Sequence, residues 1–184
     1  HGTAIGGILI GRDIDWMKTK ITKTHRLLGG NANPFDAFLV IQGIKTLELR
    51  MDRHCSNAAK VAEFLEGHSA IAKVNYEGLS SHPAYAVARK QMSKPGGMLS
   101  FEVTGGLQAG MTFMNRLQMC TRTVSLGTVD TLLSHPASMT HFSVPKEQRE
   151  QYGITDGLIR MSVGIENAED IMGDLEQALV NQVM

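Results

Sequence analysis

The chain has 184 residues, of which 42% are hydrophobic and 20% charged, a balance that supports a packed globular core. Eighteen basic residues match eighteen acidic ones, so charge gives no reason to expect nucleic acid or an anionic membrane as partner. No apolar run approaches the roughly 20 residues that span a bilayer. Cys55 and Cys120 provide neither a disulfide framework nor metal-ligand spacing, and we predict a soluble cytoplasmic protein.

The first residues, His1-Gly-Thr-Ala-Ile-Gly-Gly, contain neither an initiator Met nor a signal-peptide pattern. The apolar run at residues 7–11 predicts a buried strand, although no nearby segment is suited to pair with it. We interpret this beginning as that of a fragment or processed chain. An ordinary domain that follows an expression-tag remnant is the alternative. Residues 13–24 have a mixed pattern that predicts a helix.

The pair Asn33-Pro34 predicts a helix start, because the Asn side chain caps a first turn where proline has no N–H to leave unpaired. Apolar residues then recur at helical spacing over residues 35–65, and Gly67 supplies a stop. This pattern predicts either one very long helix or two helices with a bend between them.

The remaining residues alternate between helical and extended patterns. They predict, in chain order, a strand at 71–76, a helix at 82–92, a strand at 97–104, a helix at 107–117, an extended segment at 119–126, loops at 127–134 and 136–145, a strand at 158–163 and a last helix capped by Asn167. Strands mixed with helices after a long helix predict an α+β domain whose helices cover one face of a sheet.

Several classes of site lack support in the sequence. Neither G-x-G-x-x-G nor G-x-x-x-x-G-K-[ST] occurs, so nucleotide binding is not indicated. His135 and His141 lie six residues apart without a Cys or carboxylate cluster to complete a metal site, and we predict no metal. Ser100 and Ser125 lack the G-x-S-x-G context of a hydrolase nucleophile.

Arg160 lies inside the apolar strand predicted at 158–163. Period-two alternation places Ile159 and Met161 on one face of this strand and Arg160 on the other. An unpaired buried charge is costly, and the planar guanidinium suits a bidentate carboxylate partner. The simpler interpretation is a surface or salt-bridged arginine, and the pattern alone does not decide between this and an arginine that binds an anionic ligand.

Four ordered blocks resemble the Cys/Met-metabolism family of enzymes that depend on pyridoxal 5′-phosphate (PLP). The blocks cover residues 43–54, the Val-Ser-Leu-Gly of 124–127, the Ser-His-Pro-Ala-Ser-Met-Thr-His of 134–141, and the Leu-Ile-Arg-Met-Ser-Val-Gly signature within 153–179. This family contains methionine and cystathionine γ-lyases, cystathionine γ-synthases and O-acylhomoserine sulfhydrylases. Because the four blocks occur in the same order as in the family, the resemblance is more specific than any single motif.

The resemblance implies roles for three residues. Arg160 corresponds to the arginine that binds the α-carboxylate of the amino-acid substrate. Ser125 corresponds to the serine beside that carboxylate and the cofactor, and Thr140 to a threonine that supports both. The Schiff-base lysine of the family falls upstream of residue 1, so Lys18, Lys20, Lys23 and Lys94 are not candidates for it.

The family also implies an architecture. It predicts the fold type I of PLP-dependent transferases, with residues 1–47 as the tail of the large PLP-binding domain and 48–184 as the C-terminal α+β domain. Members are usually homotetramers built as dimers of dimers, and residues 31–38 are a candidate subunit contact.

The resemblance predicts an enzyme of methionine and cysteine metabolism and trans-sulfuration. The 124–127 and 134–141 blocks favour a γ-lyase, which converts methionine to α-ketobutyrate, ammonia and a thiol by α,γ-elimination. The first residues and Asp15-Trp16 look more like O-acetylhomoserine sulfhydrylases, and His25-Arg26 departs from methionine γ-lyases. An O-acetylhomoserine sulfhydrylase or cystathionine γ-synthase (γ-replacement) therefore stays open, as does a catalytically incomplete fragment.

Overall fold

The computed structural model describes residues 2–180, which divide into two compact units between Leu47 and Glu48. The helices are α1 Ile14–Trp16, α2 Thr22–Leu28, α3 Pro34–Ile44, α4 Leu47–Glu66, α5 Tyr85–Gln91, α6 Gly106–Arg116, α7 Lys146–Gln151 and α8 Ala168–Val180, with a π-helical turn at Met17–Ile21 and a 3-10 turn at Pro136–Ser138. The strands are β1 Ile71–Asn75, β2 Met98–Val103, β3 Thr121–Arg122, β4 Leu132–Ser134 and β5 Leu158–Ser162. Within this described range, no helix has the length and apolar character needed to cross a membrane.

The first unit consists of helices whose ends follow local capping rules. The carboxylate of Asp13 accepts a hydrogen bond from the backbone N–H of Trp16 at 2.8 Å, which begins α1. Gly29 ends α2 in the left-handed conformation, with φ of 71°. The predicted cap of α3 is confirmed, since Asn33 Oδ1 accepts from the N–H of Asp36 at 2.9 Å.

The strand predicted at residues 7–11 is wrong. Within the described part of the first unit, no segment pairs with these residues, and the side chains of Ile8 and Ile10 are 81% and 85% exposed. An apolar run becomes a strand only where another backbone accepts and donates its hydrogen bonds, so composition alone overstated this segment.

The long helical pattern is two helices. α3 ends at Ile44 and α4 begins at Leu47, so the alternative with a bend is the correct one. The buried residues of α4 recur at three- and four-residue intervals and define one face of the helix: His54, Cys55, Asn57, Ala58, Val61, Ala62 and Leu65.

The second unit contains a five-stranded mixed sheet in the order β1-β2-β5-β4-β3. β2 and β4 flank β5 as antiparallel neighbours, whereas β3 pairs with β4 in parallel. β5 therefore occupies the centre of the sheet. The mixed α and β architecture predicted from the sequence is confirmed.

The core of this unit lies between the sheet and helices α4, α6 and α8. The rings of Phe101 on β2 and Phe113 on α6 pack edge to face with centroids 5.7 Å apart, and both are fully buried. Inward-facing residues of the central strand, Ile159 and Met161, are also fully buried, as is Leu175 of α8. Burial of these side chains is what fixes the strand register.

Three elements differ from the sequence predictions. Leu132–Ser134 forms β4 although it was predicted as loop, and its strand character comes from pairing with β5. Lys146–Gln151 forms α7, begun by Pro145, inside a stretch without a predicted helix. Of the extended segment predicted at 119–126, only Thr121–Arg122 is strand.

Asp174 on α8 fixes the connection from α6 to β3. Its nearly buried carboxylate accepts the backbone N–H groups of Gln118, Met119 and Cys120 at 2.9, 3.0 and 2.8 Å. Burial raises the pKa of Asp174, but these three bonds, with one from the Gln177 side chain, outweigh burial and hold the pKa below its usual value of 3.8.

Asp174→Asn should lower the free energy of unfolding by about 1–3 kcal/mol, because an amide cannot accept all these bonds and turns an NH₂ toward N–H donors. A lowered folded-state pKa contributes stability that is present above the unfolded-state pKa and is lost as pH falls through the folded-state pKa. Urea denaturation near neutral pH and in acid measures this. The difference between wild type and variant should shrink in acid, and an undiminished difference would contradict the assignment.

Candidate functional site

Arg160 lies at the middle of β5, and the predicted alternation holds. Ile159 and Met161 face the core, whereas Arg160 faces the opposite side of the sheet and is half-buried. Its direct neighbours in register are Ser100 on β2 and Ser134 on β4.

These neighbours belong to a polar row that crosses four adjacent strands. Asn75 on β1 pairs in register with Ser100, which pairs with Arg160, which pairs with Ser134. Residues directly opposite each other share one face of a sheet, so the four side chains lie on the face opposite the core. Asn75 Nδ2 donates to Ser100 Oγ at 3.3 Å. Polar side chains thus border the guanidinium along this row.

Within the described residues the Arg160 guanidinium makes one hydrogen bond, a long one from its NH1 group to the carbonyl oxygen of Val124 at 3.4 Å. Among residues 2–180, no carboxylate pairs with it. A half-buried guanidinium without a protein counter-charge is suited to bind an anion, because its remaining N–H donors match a carboxylate bidentately.

Ser125 follows the residue that Arg160 contacts. It lies in the loop between β3 and β4, and its exposed side chain has no hydrogen-bond partner within the described residues. Farther along, the N–H of Gly127 donates to Ser162 Oγ on β5 at 3.0 Å. Gly127 has a φ of 75°, which favours glycine at this turn. The structure therefore brings the Ser125 segment and Arg160 together.

Thr140 lies in the loop that follows the 3-10 turn after β4. Its exposed hydroxyl forms a hydrogen bond with the Nδ1 of His141 at 2.8 Å, and within the described chain it has no hydrogen bond to Arg160 or Ser125. Of the three residues named from the sequence, Arg160 is hydrogen-bonded to the residue before Ser125, whereas Thr140 has no hydrogen bond to either of them within the described chain.

His135 anchors the loop that carries Thr140. Its Nε2 lies 2.8 Å from the carbonyl oxygen of Asp156, and its Nδ1 lies 2.8 Å from Ser138 Oγ. A carbonyl only accepts, so Nε2 carries the proton and Nδ1 accepts from the Ser138 hydroxyl. Burial, together with the charge of Arg149, lowers the pKa of His135 and keeps the ring neutral. Sequence spacing gave no signal of this structural role.

Asp156 ties the same loop to the residues that precede β5. Its carboxylate forms ion pairs with Lys146, at 2.5 Å, and with the buried Arg149. Hydrogen bonds from these two cations hold the pKa of Asp156 below its usual range. Arg149 also donates to the carbonyl oxygen of Ile154 at 3.0 Å. Charge-assisted bonds therefore fix the backbone segment that leads into β5.

Within the described range, no group of three or more His, Cys, Asp or Glu side chains is arranged to hold a metal ion. Lys94, one of the four lysines weighed from the sequence, forms a surface ion pair with Asp52 at 2.5 Å. Cys55 and Cys120 are buried free thiols whose pKa values are raised by burial.

The chain resembles one family of known enzymes over nearly its whole length. The family model described as Cys/Met metabolism PLP-dependent enzyme matches residues 1–180. The chain is 48% identical to an L-methionine gamma-lyase of Porphyromonas gingivalis over 97% of its own length and 45% of that protein. It is 44% identical to a cystathionine beta-lyase of Coxiella burnetii over 97% of its length and 46% of that protein. The chain thus spans about half the length of these relatives.

Solved structures give the same result for the fold. The cystathione gamma lyase CalE6 of Micromonospora echinospora superposes with a TM-score of 0.85 at 38% identity, covering 92% of this chain and 44% of that one. The structure of metB from Corynebacterium glutamicum gives 0.73 at 47% identity, covering 80% and 38%. The chain therefore belongs to the Cys/Met-metabolism family of PLP-dependent enzymes.

Proposed function

We propose that this chain supplies the substrate-carboxylate site of a PLP-dependent γ-lyase of sulfur amino acids. The reaction is the α,γ-elimination of methionine, which with water gives α-ketobutyrate, ammonia and methanethiol. The observation that carries the proposal is Arg160, half-buried at the centre of the sheet and without a carboxylate partner within residues 2–180. Identities of 48% and 49% to L-methionine gamma-lyases support the reaction class.

In this proposal Arg160 binds the α-carboxylate of the amino acid. A bidentate guanidinium fixes both oxygens, and with them the rotation about the bond from the carboxylate to the α-carbon. Such a grip decides which bond of the α-carbon is presented for reaction. The contact from Arg160 to the Val124 carbonyl limits how far the guanidinium can move.

Ser125 is proposed to contact both substrate and cofactor. Its exposed hydroxyl, which lacks a partner in the described chain, fits a hydrogen bond to a carboxylate or to the ring system of PLP. Thr140, on the loop that His135 anchors, is proposed to support the substrate carboxylate and the cofactor as well. When bound, PLP supplies the electron sink for charge that develops at the α-carbon. No lysine of this chain is proposed to carry it.

We further propose that residues 1–47 are the tail of the large PLP-binding domain and that 48–184 are the C-terminal domain. A cytoplasmic homotetramer, a dimer of dimers, completes the proposal. Exposed apolar side chains on α3 support a subunit contact there, since Phe35 and Phe38 are 67% and 53% exposed. Two free cysteines agree with a reducing compartment.

Arg160→Ala in the complete PLP-loaded protein should raise KM for the amino acid about a hundredfold, because a desolvated charge pair is lost. Arg160→Lys should raise it about tenfold, since the charge remains but the fork does not. The visible absorbance of the cofactor should stay unchanged in both. Steady-state kinetics and absorbance spectra provide the test, and unaltered KM in Arg160→Ala would refute the carboxylate role.

The reaction class is tested by two assays on the complete protein. We expect α-ketobutyrate from L-methionine at a higher rate than homocysteine from O-acetylhomoserine plus sulfide. Turnover in the second assay alone would replace the lyase by a sulfhydrylase.

A further inference from the structure

Glu166, four residues beyond β5, clamps the far end of the loop that carries Ser125. One carboxylate oxygen accepts the backbone N–H of Thr131 at 2.5 Å, and the other accepts the Thr131 hydroxyl at 2.8 Å. Both bonds are charge-assisted and join the same two residues, and we call this contact between Glu166 and Thr131 the clamp.

Thr131 is fully buried, and its hydroxyl oxygen also accepts the N–H of Gly164 at 2.9 Å. The backbones are in very close approach here. A Cβ on Gly164 would lie 2.1 Å from the Glu166 carboxylate and 2.4 Å from the carbonyl oxygen of Val129. Only glycine fits this position, so the backbone after β5 packs directly against the backbone of the loop.

Helix α4 holds the clamp from its other side. Asn57 Nδ2 donates to the carbonyl oxygens of Gly164 and Glu166 at 3.1 and 2.8 Å, and His54 Nδ1 lies 2.6 Å from that of Val163. Asn57 and His54 are both buried. Since α4 contributes to the core, the segment that carries Glu166 is attached to a rigid element.

From this clamp the loop runs back toward Arg160 along β5. The N–H of Ile165 donates to the carbonyl of Val129 at 2.8 Å, and Ser162 Oγ accepts from Gly127 at 3.0 Å. Ser125 itself lies beyond these contacts and has no hydrogen bond of its own within the described chain. On its other side Ser125 follows β3, and the N–H groups of Thr121 and Thr123 donate to the carbonyl oxygens of Thr131 and Leu133, both at 2.9 Å. The clamped Thr131 therefore bears on both ends of the loop that carries Ser125.

We propose that Glu166, acting through Thr131, is a positioning residue that holds the Ser125 segment at the distance from Arg160 that substrate binding needs. This inference rests on the proposed function of Arg160 and Ser125. Both carboxylate oxygens of Glu166 bind Thr131, so in this inference Glu166 acts on the geometry of binding and not on the ligand itself.

The test uses the complete PLP-loaded protein with L-methionine as the substrate. Thr131→Val removes the hydroxyl with little change in shape, and Thr131→Ser restores it. Glu166→Gln replaces the double acceptor by an amide. Val61→Ala, a truncation in the fully buried core of α4, is the matched control for lost stability alone. KM, kcat, Tm, cofactor absorbance and hydrogen exchange of residues 123–131 are measured for each.

Thr131→Val and Glu166→Gln are expected to speed hydrogen exchange in 123–131 and to raise KM about tenfold or more, with cofactor absorbance unchanged. Thr131→Ser should recover most of the wild-type KM. Val61→Ala should lower Tm while KM stays at the wild-type value. If Thr131→Val does not fold, Glu166→Gln carries the same comparison.

Two outcomes would overturn the inference. One is wild-type KM in both clamp variants although Arg160→Ala raises KM. The other is an equal rise of KM in Val61→Ala, which would reduce the clamp to general stability. Wild-type KM in Arg160→Ala itself would instead reject the proposed function.

Discussion

A guanidinium at the centre of a β-sheet must be hydrated or bound to an anion, because an unpaired charge in a dry interior is too costly to keep. The fold answers this constraint by giving the sheet two different faces. Ile159 and Met161 enter the core, whereas Arg160 is bordered by Ser100 and Ser134 of the adjacent strands. Among residues 2–180 no acid pairs with it, and we propose a ligand carboxylate as its partner.

The antiparallel pairing of β4 with β5 explains how the loops before and after β4 are fixed at opposite ends of the strand that carries Arg160. The loop before β4 necessarily meets the residues after β5, and Glu166 binds Thr131 there. The loop after β4 meets the residues before β5, where His135 binds the Asp156 carbonyl. Each end of β5 is thus followed or preceded by a residue that binds one of the two loops: Glu166 binds the loop before β4, and Asp156 binds the loop after it. Ser125 is exposed, whereas the residues that support the loops are buried or charge-paired.

Features that depend on neighbours in sequence were predictable. The capping residue Asn33 predicted the start of α3, and the alternation of apolar residues along β5 predicted that Arg160 lies on the face opposite the core. The strand Leu132–Ser134 was not predicted, because three residues are too few for a period and its pairing with β5 decides it. The bond between Thr131 and Glu166 joins residues 35 apart in sequence, so no local pattern could indicate it. The roles proposed for the site residues come from the family resemblance, because spacing alone had left them open.

The central claim is that Arg160 binds the α-carboxylate of the amino acid. A matched pair of unreactive ligands isolates that contact, since L-norleucine and n-pentylamine differ only in the carboxylate. Their dissociation constants, taken from cofactor absorbance in the complete wild-type protein and in Arg160→Ala, form a double-mutant cycle. We predict that loss of the carboxylate weakens binding in wild type far more than in the variant, with a coupling energy of about 1.5 kcal/mol or more. Equal losses in both proteins would contradict the account.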